Sequence, residues 1–429
     1  MNKISSEYQK LTPLWIAVFV DILGFSIILP FLPFFIAEFN TSPIVIGLLL
    51  SSNAIFGFFF GPILGKLSDK YGRKPFMLIS QVGTIAGFII LIFANNLIVL
   101  FIARVVDGIF SGQFPISKAI IGDVVPPKER PKQMTNIGIA FTLAFLIGPA
   151  IGGFLSPFGI MGPGIVASIL AGFTFVFTAL YLKETLPNKV GIQKWANTKP
   201  FLQNTENSII ISKEFKTKKS SIWANKRTVI LLIQYSILVV AAGIFQTTFS
   251  LFGGLRLGLN AQTIGILLSL MGVFQLIFRT LFFNRIREGL GDPKTAMLGL
   301  GSYIISYFLL AFVSQTWQLV LVLFYISFSG ATSRGITIGF TSRSVDYLNQ
   351  GKIMGITSSL DNISQIFGPI LGGFLLSFTG NLPFALMLSG LSILPFIISF
   401  QVLKFGYDNR EKDDGNKIPP IIIKTQVKK

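Results

Sequence analysis

The sequence predicts an all-α integral membrane protein with twelve transmembrane helices in two halves of six. Three observations predict this fold class. Of the 429 residues, 51% are hydrophobic and only 13% are charged, whereas soluble domains carry about 25% charged residues. Twelve apolar segments are long enough to cross a bilayer, which takes roughly 20 residues as a helix. A short motif in the fifth segment also recurs in the eleventh, which indicates an internal repeat.

We number the apolar segments as spans 1 to 12. They cover residues 12–37, 43–64, 76–95, 97–122, 133–157, 163–183, 228–252, 261–283, 294–313, 317–341, 352–378 and 381–405. The spacing predicts an N-terminal half (1–183), a cytoplasmic linker loop (184–227), a C-terminal half (228–405) and a cytoplasmic tail (406–429). Span 1 is too long for a signal-peptide core and lacks a small-residue cleavage site, so we expect it in the mature protein.

The basic residues predict the orientation. If both termini are cytoplasmic, 31 of the 36 Lys and Arg residues lie in or at the edges of cytoplasmic segments. This asymmetry follows the positive-inside rule. We therefore expect a multi-pass protein of the cell membrane with both termini in the cytoplasm. The net charge of +18 then reflects orientation signals and lipid-headgroup contacts rather than a nucleic-acid surface.

The chain contains no Cys and no His. This composition excludes disulfides, the usual zinc sites, Cys or Ser-His nucleophiles and imidazole proton relays. We therefore predict that the protein is not an enzyme, with no catalytic residue, no metal and no cofactor.

An eight-residue element in span 5 recurs in span 11. Gly148–Leu155 and Gly368–Leu375 share six residues at an offset of 220. An even number of spans separates the two copies, so both run in the same direction, as in a parallel two-half repeat. Glycines four residues apart allow close helix approach, and proline bends a helix. The predicted packing residues are Gly148, Pro149, Gly152 and Gly153, and Gly368, Pro369, Gly372 and Gly373.

The segment between spans 2 and 3 reads Gly65-Lys-Leu-Ser-Asp69-Lys-Tyr-Gly72-Arg73-Lys74. It resembles the G-x-L-x-D-x-x-G-R-K/R signature of the major facilitator superfamily, which implies a secondary transporter with the major facilitator fold.

The resemblance also implies a conformational latch. Asp69 would meet the N-terminus of span 11 near Lys352, and Arg73 would pair with Asp123, in the outward-facing state. The glycines permit a sharp turn at this loop. The alternative is that the basic residues act only as topology signals.

Span 1 contains Asp21-x-x-Gly24-Phe25 followed by Pro30-x-Leu-Pro33. This pattern is similar to the first span of the tetracycline-exporter-like drug:proton antiporters, and the GPxxGG element of span 5 also resembles a motif of those exporters. Burial disfavours a charged carboxylate and a nearby cation favours it. A carboxyl group balanced between the two effects can load and release a proton.

Span 4 supplies the cation. Arg104 matches the family's span-4 arginine, and Asp107 lies one turn later. Residues Arg104, Asp107, Ser111, Pro115 and Lys118 form one polar stripe if span 4 is a single helix. We predict proton coupling by Asp21, Arg104 and Asp107, with Asp107 as either a second proton site or a static partner of Arg104.

The second half has weaker signals. Arg334 and Asp361 lie in spans 10 and 11 and could form an ion pair, although Asp361 shares a helix face with the glycines, which favours a packing role. Gln234, Phe245 and Gln246 of span 7 are candidate cavity residues.

Together these features predict proton-coupled efflux of small amphipathic compounds by alternating access. The expected partners are the substrate, protons and the lipid bilayer, and we expect a monomer. Two alternatives remain open: a proton-coupled importer of a sugar, peptide or organic anion, and a membrane sensor or scaffold that transports nothing.

Overall fold

The computed structural model describes residues 11–125, 130–186, 223, 225–345, 349–379 and 381–404. The predicted tail (406–429) and most of the predicted linker (184–227) lie outside the described residues. The described residues form helices joined by short connections.

In the first half, each predicted span corresponds to one or two helices. Span 1 comprises Thr12–Ile28 and Leu32–Ala37, span 2 is Pro43–Tyr71, span 3 is Arg73–Ile92, span 4 comprises Leu97–Ile109 and Gln113–Val124, span 5 is Arg130–Leu155, and span 6 is Met161–Tyr181.

The second half repeats this plan. Span 7 is Lys226–Leu257, span 8 is Ala261–Ile277 with a π-helical turn at Phe278–Phe282, span 9 lies within Phe283–Leu310, span 10 is Thr316–Arg343, span 11 is Gln350–Thr379, and span 12 is Asn381–Lys404.

Within the described residues, ten helical stretches are long and apolar enough to cross a membrane. One of them, Ala261–Leu310, is 50 residues long and joins spans 8 and 9. A non-helical residue, Gly291, divides it. Span 11 is not among the ten, and it carries the polar residues Asp361, Asn362 and Gln365. With the long stretch divided and span 11 included, the structure confirms the predicted twelve-helix fold.

Two local expectations differ from the structure. The predicted turn between spans 2 and 3 is largely helical, because span 2 continues through the motif to Tyr71 and ends only at Gly72, whose φ is +120°. Span 4 is not one helix, since it breaks at Phe110–Gly112 and restarts at Gln113. The polar stripe expected along a single helix is therefore divided between two.

The packing repeats between the halves. In the first half, span 1 packs on spans 5 and 6, span 3 packs on spans 4 and 6, and span 2 packs on span 4. The second half has the same pairs with every span number raised by six. Between the halves, span 2 packs on span 11 and span 5 packs on span 8. These contacts confirm the two six-helix halves of the predicted fold.

The two halves meet mainly toward one membrane face. Spans 1 and 12 place both ends of the described chain on the same side, which we name the terminal face, and we name the opposite side the distal face. At the distal ends of spans 2 and 11, a Cβ at Gly373 would overlap the carbonyl oxygen of Pro43. Deeper along this pair, the Ser51 hydroxyl donates to the Ile366 carbonyl (2.6 Å).

Closer to the terminal face the same pair of spans separates. A Cβ at Gly355 of span 11 would have no atom within 4 Å, and the Asp69 side chain near the terminal end of span 2 is 60% exposed. The conformation is thus closed at the distal face and open at the terminal face.

Candidate functional site

An ion pair lies inside the first half on span 4. Arg104 and Asp107 are 2% and 6% exposed, and Arg104 Nη1 lies 3.7 Å from Asp107 Oδ2. The Asn53 side-chain amide of span 2 donates to the same oxygen (2.8 Å). Two further nitrogens of Arg104, Nε and Nη2, are buried without a hydrogen-bond partner. Removing Asp107 would leave an uncompensated buried cation, so the pair holds this part of span 4 together.

Asp21 of span 1 lies beside this pair. Its carboxyl group interacts with the Gln113 side chain and electrostatically with Asp107. The Gln113 amide donates to the Thr84 hydroxyl of span 3 (3.2 Å). The structure thus places Asp107 and Gln113 where both act on Asp21. The break in span 4 places Gln113 on a separate helix from Arg104, which a single-helix reading did not anticipate.

Asn53 and Gln113 were missed in the sequence. Each is an amide side chain inside a predicted membrane span. That polarity is the signal that could have identified them, because amides inside a membrane need partners.

A second charged cluster lies on the second half. Arg334 Nη2 of span 10 lies 2.9 Å from Asp361 Oδ1 of span 11, and the Tyr235 hydroxyl of span 7 donates to the same oxygen (2.9 Å). The side chains of Arg334 and Asp361 are 54% and 29% exposed. Lys118 of span 4 interacts electrostatically with Asp361 across the space between the halves. Asp361 is therefore a member of an ion pair and does not act only in glycine packing, the role that its helix face favoured.

The three candidate cavity residues of span 7 lie in different environments. Gln234 is 4% exposed, and its amide donates to the Pro395 carbonyl of span 12 (2.9 Å). Phe245 is 3% exposed and packs its ring against Phe249 and Tyr307. Only Gln246 is exposed. In this conformation Gln234 and Phe245 are fixed between packed helices, so their assignment to a cavity stays a prediction.

The residues of the predicted latch meet within the first half. The Arg73 guanidinium, 8% exposed, contacts the carboxylates of Asp69 and Asp123, the latter at 2.8 Å. It also donates to the Ser68 hydroxyl (2.9 Å). Asp69 remains 60% exposed, and its partner lies in its own half rather than at span 11. This agrees with the open terminal face, where spans 2 and 11 have separated.

Glu184 adds a contact that the sequence analysis did not identify. Its carboxylate accepts hydrogen bonds from the backbone N–H groups of Arg73 and Lys74, which begin span 3, and from those of Thr185 and Leu186. Partial burial alone would raise the pKa of Glu184, but these four N–H donors lower it below the ordinary value. An acid directly after span 6, facing a basic loop, was the available signal.

The second half carries a charge-reversed counterpart of this arrangement. Gly72 and Gly291 both have positive φ, +120° and +76°, and each precedes the helix of the following span. Arg73 follows the first glycine and pairs with Asp123 at the end of span 4. Asp292 follows the second and pairs with Arg343 at the end of span 10 (3.4 Å) and with Arg287.

The repeated glycine elements lie at close helix contacts. Cβ atoms at Gly148 and Gly152 would overlap Ser26 and Ile27 of span 1, and one at Gly153 would lie 2.9 Å from the Gln262 carbonyl of span 8.

In the second half, the equivalent positions Gly368 and Gly372 face span 7, and Gly373 faces span 2. Pro149 and Pro369 supply the carbonyl oxygens that approach Gly265 of span 8 and Gly47 of span 2. Each element thus joins its own half to the other.

Among the described residues, no group of three or more Asp, Glu, His or Cys side chains is placed to hold a metal ion.

Comparisons with known proteins agree with this architecture. A family model described as the Major Facilitator Superfamily matches residues 14–287 and 256–422. The chain is 30% identical over 363 residues to a protein named tetracycline resistance protein, class H, from Pasteurella multocida, covering 84% of this chain and 87% of that protein. It is 26% identical over 370 residues to multidrug resistance protein 2 of Bacillus subtilis strain 168, covering 86% and 88%.

A solved structure, that of the human organic anion transporter MFSD10, has a TM-score of 0.65 and 20% identity over 92% of this chain and 99% of that one. At this identity the likeness shows the fold alone. The family match and the relatives confirm the resemblance found in the motifs. The chain is a multi-pass membrane protein of the major facilitator superfamily and belongs to its family of drug:proton antiporters.

Proposed function

We propose that the protein exports small amphipathic compounds from the cytoplasm in exchange for protons. The observation that carries this proposal is the position of Asp21, which lies in a membrane span beside Asp107 and the Gln113 amide. A carboxylic group inside a membrane is costly and marks a proton or substrate pathway by default. The names of the relatives, tetracycline and multidrug resistance proteins, support export as the direction.

In this proposal Asp21 carries the proton and Asp107 acts on it directly. Arg104 stabilises the charge of Asp107 and so acts on Asp21 through its neighbour. Proton and substrate favour opposite steps of the cycle, because each shifts the equilibrium between the two conformations by its differential affinity for them. The two six-helix halves would rock about the contacts of spans 2 and 11 and of spans 5 and 8.

The positive-inside rule supports a cytoplasmic location for both termini, so the terminal face would face the cytoplasm and the described conformation would be open inward. The cell membrane is the proposed location and the monomer the proposed functional unit. We assign no catalytic role to any residue.

The latch belongs to the opposite conformation. When the terminal face closes, Asp69 would leave Arg73 and meet the positive N-terminal end of span 11. Arg73 would remain bound to Asp123. The exposure of Asp69 in the open conformation supports this exchange of partners, because its carboxylate is accessible.

The test is proton flux in proteoliposomes with an imposed pH gradient. A panel of cationic, neutral and anionic amphipathic compounds is added to wild type, Asp21→Asn and Glu38→Gln. Glu38 is an exposed acid at the distal end of span 1 and serves as the matched control. We expect compound-evoked proton flux in wild type and in the control, and none in Asp21→Asn with the protein still folded.

Coupling retained in Asp21→Asn would overturn the assignment of the proton site. Entry of an external solute together with protons would replace export by import.

A further inference from the structure

The cluster around Asp361 carries more positive than negative charge. Lys118 and Arg334 each contribute a cation, and Asp361 is the acid that interacts with both. A surplus charge in a membrane-embedded site is unfavourable unless a counter-charge or water compensates it. Tyr235 supplies a hydroxyl but no charge. An anionic group entering this site would therefore be stabilised.

The cluster lies between the halves rather than against lipid. Lys118 belongs to the first half, whereas Arg334, Asp361 and Tyr235 belong to the second, and Lys118 and Asp361 interact across the gap. This gap opens at the terminal face, where spans 2 and 11 separate. A solute that enters from that face meets these side chains.

Arg334 has donors available for a ligand. Its contact with Asp361 uses Nη2, and its side chain is 54% exposed. A guanidinium group binds a carboxylate through two parallel N–H bonds. The Lys118 ammonium would supply a second positive charge from the facing wall, as a point charge without fixed geometry.

An aromatic surface adjoins the cations. The Lys118 ammonium lies 4.3 Å from the centre of the Phe114 ring, and this ring is 43% exposed. The two residues are four apart on one helix and so share a face. A ligand with an apolar ring and a carboxylate fits this pair of features.

We propose that the site binds the anionic end of an amphipathic carboxylate, held by Arg334 and Lys118, with its apolar part against Phe114. Asp361 is the internal counter-ion that the ligand displaces or supplements. The inference specifies the substrate class and rests on the proposed transport function, since it assumes that the gap between the halves receives the transported compound.

The test is equilibrium binding to the purified full-length protein in detergent, at one pH and without a proton gradient. The probes are naphthalene-2-carboxylate, its neutral amide and the cation 2-naphthylmethylammonium, which share one ring system. The variants are Arg334→Gln, Lys118→Gln and Asp361→Asn. Arg285→Gln, which removes an exposed cation between spans 8 and 9 of the same half, is the matched control.

We expect wild type and the control to bind the carboxylate roughly ten- to hundredfold more tightly than the amide, as for hydrogen bonds to charged groups. Arg334→Gln should remove this preference and Lys118→Gln should reduce it. Asp361→Asn should strengthen carboxylate binding and leave amide binding unchanged, because it removes the competing anion. A merely structural role for these residues would instead weaken binding of all three probes alike.

Equal binding of carboxylate and amide by wild type, or weaker carboxylate binding by Asp361→Asn, would overturn the proposal. Should Arg334→Gln fail to fold, Lys118→Gln and Asp361→Asn still give opposite expected shifts. These measurements need no proton coupling, so they can fail while the transport assay succeeds, and the reverse also holds.

Discussion

A methyl group added at Gly373 should shift the equilibrium between the two conformations. Gly373 of span 11 contacts the beginning of span 2 at the distal face, where a Cβ would overlap the Pro43 carbonyl oxygen and lie 3.3 Å from the Ile44 Cα. Backbone atoms cannot rotate away as a side chain can. The contact exists where the halves are closed, so Gly373→Ala should destabilise that conformation selectively.

The size of the shift follows from the cost of overpacking. Inserting a methyl group into a tightly packed contact costs about 1–3 kcal/mol. If the cost falls only on the distally closed conformation, the equilibrium constant changes by about 5- to 150-fold. The matched control is Gly355→Ala on the same helix, since a Cβ there would have no atom within 4 Å.

The assay uses the absence of native cysteine from the chain. A single reporter, Phe34→Cys, lies at the distal contact of spans 1 and 7, where Phe34 approaches Gly254. Its labelling by a membrane-impermeant maleimide from the distal face should accelerate several-fold in Gly373→Ala and remain unchanged in Gly355→Ala. Unchanged labelling in Gly373→Ala, or equal changes in both variants, would refute the reasoning.

Three further predictions concern the contacts around the junction of spans 2 and 3. Glu184→Gln should lower the thermal stability at pH 7, whereas the exposed Glu38→Gln should not. Because the folded pKa of Glu184 is lowered, its contribution is present above the ordinary value and is lost as the pH falls through the folded pKa. The melting temperatures of wild type and Glu184→Gln should therefore converge in acid. Asp123→Asn should cost about 1–3 kcal/mol, because it leaves the buried Arg73 with one carboxylate fewer. Gly72→Ala should cost about 1–3 kcal/mol, since its φ of +120° disfavours an L residue.

Each of these predictions has a control and a contradicting outcome. If the difference in melting temperature between wild type and Glu184→Gln stays constant across the pH range, the ionised Glu184 carboxylate does not stabilise the start of span 3. Asp69→Asn is the control for Asp123→Asn: its carboxylate is 60% exposed, and exposed ion pairs contribute little. An equal loss in both variants would argue against Asp123 as the main anchor. Gly122→Ala is the control for Gly72→Ala: a Cβ at Gly122 would have no atom within 4 Å, so this variant should leave the stability unchanged. If Gly72→Ala also leaves the stability unchanged, the turn tolerates side chains.

Much of the candidate site was visible in the sequence. Asp21, Arg104 and Asp107 stand out because charged residues are rare in apolar spans, and they do lie together. Which residues of span 4 interact with Asp21 was not predictable. Asp107 interacts electrostatically with Asp21. Gln113 joins them from a separate helix, because span 4 breaks at Phe110–Gly112 and restarts at Gln113.

The span 7 candidates show a similar limit. Polar and aromatic residues in a span suit a cavity, but they suit a helix contact equally well. Gln234 donates a hydrogen bond to span 12 and Phe245 packs on Tyr307. In this conformation both residues therefore serve helix packing, which the residue types alone did not distinguish from a cavity role.

The sequence by itself determined the span positions, the two-half repeat and the family, because hydrophobic length, charge asymmetry and local motifs are properties of the chain in order. Only the tertiary structure decided which charges meet. Arg334, Asp361 and Lys118 come from three spans and both halves, and their proximity depends on helix rotation and on how the halves pack. It also decided which face is closed, since that depends on contacts such as Gly373 with Pro43, between residues more than 300 positions apart.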